Sequence, residues 1–224
     1  QLNSAGTEAD LQAWVSVDNR SGTAYPEATL MLVAGDIHRA AAPSRDVMMM
    51  AEAKMAGEAP AISEEALYDY HLYTVNWPTT LKDNQTKQVS LFEAEKVQVK
   101  RQYTTRAAPH FFRGGGEFEA LPQDVVVSYA FENRQANHLG LPMPAGVVRV
   151  YGQAESGSRQ MLGEDRIDHT PRDERIELTV GKAFDIVAER MQKDYRRISD
   201  RVHRATHTIA LRNHKDEDVT VHVQ

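Results

Sequence analysis

Alternating apolar and polar positions predict that most of this chain is extended. In the segment 11–18 (LQAWVSVD), apolar side chains alternate with polar ones, and Trp14 faces the second side. A period of two, rich in β-branched and aromatic residues, indicates a strand with one buried face. Similar patterns predict strands at 28–34, 67–75, 88–93, 96–105, 125–132, 147–153, 159–167, 174–180, 206–212 and 219–223. The chain is therefore predicted to be all-β.

Three of these strands end in Asn followed by Arg or His, at Asn19, Asn133 and Asn213. A polar connection and another strand follow each of them. Asn favours such positions because it tolerates positive φ and hydrogen-bonds to the turn backbone. Two interpretations remain open: independent hairpins or short connections, and an internal structural repeat in which each copy is a piece of an immunoglobulin-like sandwich. The unequal spacings exclude a solenoid repeat.

The segment 36–62 differs in composition, with Ala, Met, Glu, Pro and Gly prevailing and three consecutive methionines at 48–50. No strand pattern occurs here, whereas 45–56 has good helix propensity. We predict a variable insertion with a short helix. It is either a mobile loop or a Met-rich surface that binds an apolar partner.

The segment from Phe184 to Ile209 conflicts with the rest of the pattern. Its apolar residues recur every three or four positions, which is typical of an amphipathic helix. Gly181-Lys182-Ala183 supplies no helix N-cap before it. The residues alone favour a helix, and a strand rests only on the alternation of Phe184, Ile186 and Ala188.

Charge and composition narrow the possible functions. The 224 residues suffice for one large β domain or two of about 100 residues each. A net charge of −6 gives no general attraction to a phosphate backbone, so no nucleic-acid partner is expected. The basic residues between 190 and 204 are interspersed with Glu189, Asp194 and Asp200. No apolar run approaches the roughly 18 residues that a membrane helix needs.

The chain contains no cysteine, which excludes thiolate catalysis, disulfides and cysteine-ligated metals. Its first residues, Gln1-Leu2-Asn3, lack the basic and apolar regions of a signal peptide, as expected of a processed chain or an excerpt of a longer one. Neither GxSxG nor SxxK occurs, and the glycines at 114–116 are not followed by GK[ST].

Two groups of side chains could carry chemistry. The densest acidic cluster consists of Asp165, Asp168, His169, Asp173 and Glu174. It could supply a general acid and base or bind a hard cation, although turns collect Asp for backbone reasons alone.

His203 and His207, four residues apart, could ligate a metal or form a solvated pair beside Arg204. The aromatic residues Trp14, Tyr68, Tyr70, Tyr73 and Trp77 could line a glycan or peptide groove, but we expect them in the sheet core.

Three long stretches resemble a known family: LYTVNWPTTLKDNQTKQVSL at 72–91, LGLPMPAGVVRVY at 139–151 and LGEDRIDHTPRDERIELTVGKAFD at 162–185. They are similar to the domain of unknown function at the C-terminal end of mucoidy-inhibitor-A-like proteins and of many bacterial envelope proteins. The resemblance extends from about Trp14 to Val223 and lacks the family's preceding strands. It implies an all-β sandwich behind a signal peptide, an extended segment at 184–204 and a periplasmic or secreted location. It brings no catalytic residue, substrate or cofactor.

We therefore expect an antiparallel β-sandwich with an N-terminal subdomain at 1–120 and an immunoglobulin-like subdomain at 121–224. Its expected role is non-enzymatic binding or assembly through a sheet edge or the Met-rich insertion, without a cofactor. The alternative is a metal-dependent or acid/base hydrolase that uses the cluster from Asp165 to Glu174. The sequence does not indicate the oligomeric state.

Overall fold

The computed structural model describes residues 1–35, 62–107, 119–154 and 156–224, and these ranges are built from strands. The strands are β1 Glu8–Asn19, β2 Tyr25–Ala28, β3 Met31–Ala34, β4 Ile62–Leu67, β5 Tyr70–Val75, β6 Thr79–Leu81, β7 Gln85–Gln98, β8 Lys100–Thr105, β9 Leu121–Gln123, β10 Val125–Glu132, β11 Gly146–Gln153, β12 Arg159–Ile167, β13 Arg175–Lys182, β14 Ile186–Ser199, β15 Val202–Asn213 and β16 Val221–Val223. A 3-10 turn lies at Gln135–Asn137. The all-β prediction is confirmed.

The strands form several small sheets. The central sheet has the order β13-β10-β8-β16, and a second three-stranded sheet has the order β15-β14-β9. The pairs β1-β7, β11-β12 and β2-β6 and the sheet β3-β5-β4 complete the described pairings. Pairing is antiparallel except between β16 and β8, where Val221 lies opposite Tyr103 in a parallel ladder.

One face of the central sheet carries most of the core. Tyr103, Val125, Tyr129 and Phe131 lie on this face, because Val127 pairs with Tyr103 and alternate residues of β10 share a side. Tyr129 and Phe131 belong to a buried cluster with residues of β1, β7, β11 and β13. Tyr103 and Val125 belong to a second cluster with Ile186 and Ala188 of β14. The core is thus the interior of a β-sandwich.

The strands β1, β7 and β11 form the layer that packs against the central sheet, and Leu2 joins two of them. Its backbone N–H donates to the Tyr151 carbonyl at 2.8 Å, and it forms a β-bridge with Ala9. Leu2 is itself buried in the core cluster. It therefore connects β11 to β1 in one layer.

The two layers also meet where β12 lies against β13. A Cβ placed on Gly163 would lie 2.2 Å from the carbonyl oxygen of Val180, so the two backbones touch directly. Beside this contact, a carboxylate oxygen of Asp165 accepts a hydrogen bond from the backbone N–H of Thr179 at 2.7 Å. Glycine is required at 163 because no side chain fits between the strands.

The sheet β3-β5-β4 is fixed to the sandwich by Tyr73. This side chain is 4% exposed, and its hydroxyl donates to the Pro142 carbonyl. On the same strand, Nδ1 of His71 lies 2.7 Å from a carboxylate oxygen of Glu64 on β4.

The segment that carries helix-like periodicity is a β-hairpin. Buried residues alternate along β14 at Ile186, Ala188, Arg190 and Gln192, and the first and third of these inward positions pair with Asn213 and with Ile209. The helix that the periodicity alone favours is absent from this segment. Its pattern was misleading because polar Arg190 and Gln192 fill inward positions, while apolar Phe184 is 94% exposed. The extended conformation expected from the family resemblance is present.

Strands from either side of residue 120 share one sheet, since β8 pairs with β10. The division into subdomains at 1–120 and 121–224 stays a prediction. The short helix at 45–56 and the glycine-rich break at 111–116 lie outside the described residues, as does all of the Met-rich insertion except Ile62. Within the described ranges, no helix is long and apolar enough to cross a membrane.

Candidate functional site

Asp165 has a structural role. Its two carboxylate oxygens accept backbone N–H groups, from Thr179 at 2.7 Å and from Arg166 at 2.8 Å. The residue lies on β12 opposite Val148 of β11. The Asn133 N–H donates to the Glu174 carbonyl, so on this part of β13 the backbone groups of even-numbered residues face β10, and the N–H of Thr179 faces away from that ladder. Asp165 supplies a partner for this N–H and is engaged at the β12–β13 contact.

The rest of the predicted acidic cluster lies in the turn between β12 and β13. Asp168, His169, Asp173 and Glu174 are all exposed. His169 accepts a hydrogen bond at Nδ1 from the backbone N–H of Ala145, at 3.2 Å.

Asp173 and Glu174 contribute backbone groups to the same turn. The N–H of Asp173 donates to the Asn133 carbonyl at 2.7 Å, and the Glu174 carbonyl accepts from the Asn133 N–H at 2.8 Å. With φ of 66°, Asp173 adopts the left-handed conformation of a turn residue. The contacts described here hold the turn together.

The two histidines at 203 and 207 lie on one face of β15, four residues apart in a strand. His203 stacks on Tyr195 with ring centroids 5.7 Å apart, and the tyrosine hydroxyl lies 2.8 Å from its Nδ1. His207 pairs across the hairpin with Gln192. In the part of the chain that the structure describes, no three His, Asp or Glu side chains are grouped to hold a metal ion.

A pocket of about 370 Å³ lies between the β7–β8 junction, β10 and the 3-10 turn. Lys100, Arg134 and Arg175 give it a basic rim. Arg175 donates to Gln102 at 2.7 Å and lies 3.6 Å from Glu177, while Arg134 lies 3.9 Å from Glu132. The buried polar group in its lining, Asn137, is fully hydrogen-bonded to backbone. Two of its three cations are already paired with acidic groups.

The three recurrent Asn residues close the loops that follow their strands. The Oδ1 atom of Asn19 accepts from the N–H of Ser21 at 3.2 Å, and its Nδ2 donates to the Thr23 carbonyl at 2.9 Å. Asn213 makes the same two contacts, with Lys215 at 3.1 Å and Glu217 at 2.8 Å. The prediction that these are strand-end turn residues is confirmed.

Asn133 closes a longer loop by the same chemistry. Its Nδ2 donates to the carbonyls of Leu141 at 2.8 Å and Pro171 at 2.9 Å, and its Oδ1 accepts from Gly140 at 3.1 Å. The residue is 0% exposed. It therefore ties two loops together inside the fold.

The aromatic residues do not share one environment. Tyr73 is buried as expected, but Trp14, Tyr68 and Trp77 are 56%, 94% and 41% exposed. For these three the core expectation is wrong. Trp14 lies on the outer face of β1 opposite Ser90, and Tyr68 occupies the β4–β5 turn with φ of 55°.

Sequence reasoning missed the outer edge of β15. This twelve-residue strand ends its sheet, and within the described ranges only β14 pairs with it. The N–H of His214 donates to the Asp185 carbonyl at 2.8 Å, so backbone groups of even-numbered residues of β15 point toward β14. Those of odd-numbered residues, such as Ala205, Ile209 and Leu211, point to the free edge. The helix-like pattern concealed β14 and the first residues of β15, whereas 206–212 was predicted as a strand.

The fold and this edge define an all-β protein in which, within the described residues, one edge of the long strand β15 is unpaired. Comparison with protein-family models, with curated proteins and with solved structures gave no match to the chain.

Proposed function

We propose that this chain is a non-enzymatic binding module of a secreted or periplasmic protein that captures an extended partner segment at the outer edge of β15. The observation that carries the proposal is the length of this unpaired edge, twelve residues in the described structure. A free edge presents a row of unpaired backbone donors and acceptors. Partner segments use such rows by adding a strand to the sheet.

The edge lacks two common devices that block strand addition. β15 contains no proline. The two β-bulges of the hairpin lie on β14, where Lys193 and Ile198 are the extra residues, and not on the edge strand β15. Val202 and Leu211 are 50% and 42% exposed, so apolar surface accompanies the free backbone groups. The periplasmic or secreted location rests on the family resemblance alone.

The engaged acidic turn also supports a binding role over the hydrolase alternative. Asp165 bonds to backbone amides, and the other cluster members are exposed on a turn. A panel of ester, phosphoester and glycoside substrates tests the alternative directly. We expect the same background rate from the wild type and from His169→Ala, and a rate that His169→Ala abolishes would favour the hydrolase.

The proposal is tested by selecting peptides that bind the folded chain from a displayed peptide library and measuring their affinity for Ala205→Pro. Proline removes an edge-facing N–H and is tolerated on edge strands. We expect at least about a tenfold loss of affinity, equivalent to about 1.4 kcal/mol, and no loss with the control Ala205→Ser. Peptides that bind Ala205→Pro as tightly as the wild type would refute edge capture.

Hydrogen exchange provides a readout that does not depend on a variant. Strand addition should slow exchange of the amides of Ala205, Ile209 and Leu211, which face the free edge. The amides of Thr206 and Thr208 face β14 and should be protected before peptide is added. Protection without this alternation would place the peptide elsewhere.

A further inference from the structure

The end of the β14–β15 hairpin is basic although the chain is acidic. Residues 193–207, here called the basic hairpin end, contain five Lys or Arg residues and two Asp residues, a net charge of +3. The whole chain carries −6, so the remainder carries −9. Positive charge is therefore concentrated at one end of the hairpin, beside the unpaired outer edge of β15.

Three of these cations have no acidic partner within the described structure. Arg196 lies 2.9 Å from Asp194, and Arg197 is paired with Asp200. The three others, Lys193, Arg201 and Arg204, are exposed and form none of the ion pairs found in the described residues.

Two arginines face each other across the hairpin. Arg196 lies directly opposite Arg204, and directly opposite residues share one face of the ladder. Like charges in this arrangement oppose hairpin formation. A carboxylate placed beside Arg204 would relieve the repulsion.

Positive charge occurs on both faces of the hairpin. The pair Arg196–Arg204 is followed by the pair Arg197–His203, and successive pairs project to opposite sides. A strand added at the edge also projects its side chains alternately to the two sides. A flat lipid surface or a duplex groove would meet mainly one side.

From this distribution we infer that the partner segment is acidic, with Asp or Glu side chains on both faces of the added strand. The inference rests on the proposed capture at the β15 edge. A second copy of this chain fits less well. β15 contains no Asp or Glu, so two β15 strands paired symmetrically could not form ion pairs with each other's cations. The exposed cations of the basic hairpin end would then select the partner by charge.

The probe is a capped nine-residue peptide, Thr-Glu-Glu-Val-Thr-Glu-Glu-Val-Thr, whose adjacent Glu pairs place carboxylates on both faces. Its counterpart carries Gln at the four Glu positions. We expect the Glu peptide to bind at least about tenfold more tightly at low ionic strength, by a margin that shrinks as salt is added. Equal affinities would overturn the acidic partner.

The variant Lys193→Gln/Arg201→Gln/Arg204→Gln should remove the preference for the Glu peptide. Its matched control, Lys82→Gln/Arg166→Gln/Arg172→Gln, changes the net charge equally at three exposed cations elsewhere and should keep it. Loss of the preference in both variants would show that only net charge matters, and would overturn the role of the basic hairpin end.

Ala205→Pro separates this inference from the proposed function. If both peptides bind equally to the wild type and both are lost in Ala205→Pro, edge capture stands and the acidic partner is wrong. If the Glu peptide binds Ala205→Pro as well as the wild type, edge capture itself fails.

The other possible partners are tested with the same variants. Binding of a DNA duplex or of phosphatidylserine vesicles as tightly as the Glu peptide would overturn the assignment to a polypeptide. A salt-sensitive dimer in sedimentation analysis that the triple Gln variant dissociates would overturn it in favour of a second copy.

Discussion

Asn137 pairs with the backbone of Gln98 in both directions through its side-chain amide. Its Oδ1 accepts from the Gln98 N–H at 2.7 Å, and its Nδ2 donates to the Gln98 carbonyl at 3.2 Å. The same Nδ2 reaches the Glu132 carbonyl at 3.0 Å. One side chain thus supplies the contacts of a neighbouring strand where the chain passes from β7 to β8.

Replacing Asn137 by Ala should destabilise the fold by about 2 kcal/mol, because it leaves backbone donors and acceptors at Gln98 and Glu132 without these partners. Urea unfolding monitored by tryptophan fluorescence measures this change. The control Gln135→Ala, exposed in the same turn, should change the free energy of unfolding by less than about 0.5 kcal/mol. Equal effects would show that the turn, and not the amide, stabilises the junction.

The three strand-end Asn residues should differ in their importance. Asn133 is fully buried with three side-chain hydrogen bonds, so Asn133→Ala should cost about 2–4 kcal/mol. Asn213 is exposed, so Asn213→Ala should cost less than about 1 kcal/mol despite its two contacts. Thermal and urea unfolding of the two variants check this order, and the reverse order would contradict it.

Gly163→Ala should be among the more damaging single substitutions. Its Cβ would meet the Val180 carbonyl oxygen at 2.2 Å, and neither backbone can move without separating β12 from β13. We expect a loss of more than about 3 kcal/mol. Gly146→Ala is the matched control, because a Cβ at Gly146 meets nothing within 4 Å. Circular dichroism melting of both variants distinguishes a steric cost from the general effect of Gly→Ala.

Tyr73 should make stability depend on alkaline pH. Burial, with a smaller contribution from nearby Glu64, raises the pKa of Tyr73 to about 12 from the ordinary value of 10.0. A raised folded-state pKa stabilises the fold fully below pH 10, and this contribution is lost as the pH rises through 12. The expected contribution is roughly 2 kcal/mol.

The matched variant Tyr73→Phe lacks both the titration and the hydrogen bond to Pro142. We expect it to be less stable than the wild type at neutral pH by about 1 kcal/mol, with the difference shrinking or reversing above pH 10. Urea midpoints of both proteins between pH 8 and pH 12 measure it. A constant difference across this range would show that Tyr73 does not titrate with unfolding.

Most strands were predictable because their local pattern matches their environment. In β1, alternate residues such as Leu11 and Val15 face inward, and Asn19 ends the strand by bonding to its own turn. The alternation of apolar and polar residues and the strand-ending Asn each involve residues close together in the sequence. Local signals of this kind are available without knowledge of the fold.

The hairpin β14–β15 was not predictable from its own residues. Its inward positions include Arg190 and Gln192, which are only 5% and 3% exposed and whose burial depends on tertiary packing. The role of Asp165 was hidden for a similar reason, because its partner Thr179 is fourteen residues away on a strand of another sheet. The clustering of acidic residues in the sequence suggested an acid/base or cation site, whereas Asp165 in the structure binds backbone N–H groups.

The passage from β7 to β8 also has a mechanical consequence. From Gln85 to Thr105 the chain runs through β7 and β8, with a left-handed residue at Lys96 (φ 56°) and a break at Val99, and its fully extended length would be roughly 65 Å at about 3.3 Å per residue. It pairs with β1 over the first part and with β10 and β16 over the last. Tension along this segment would load the hydrogen bonds of each ladder together, in shear. The segment can therefore transmit force between the two layers of the sandwich.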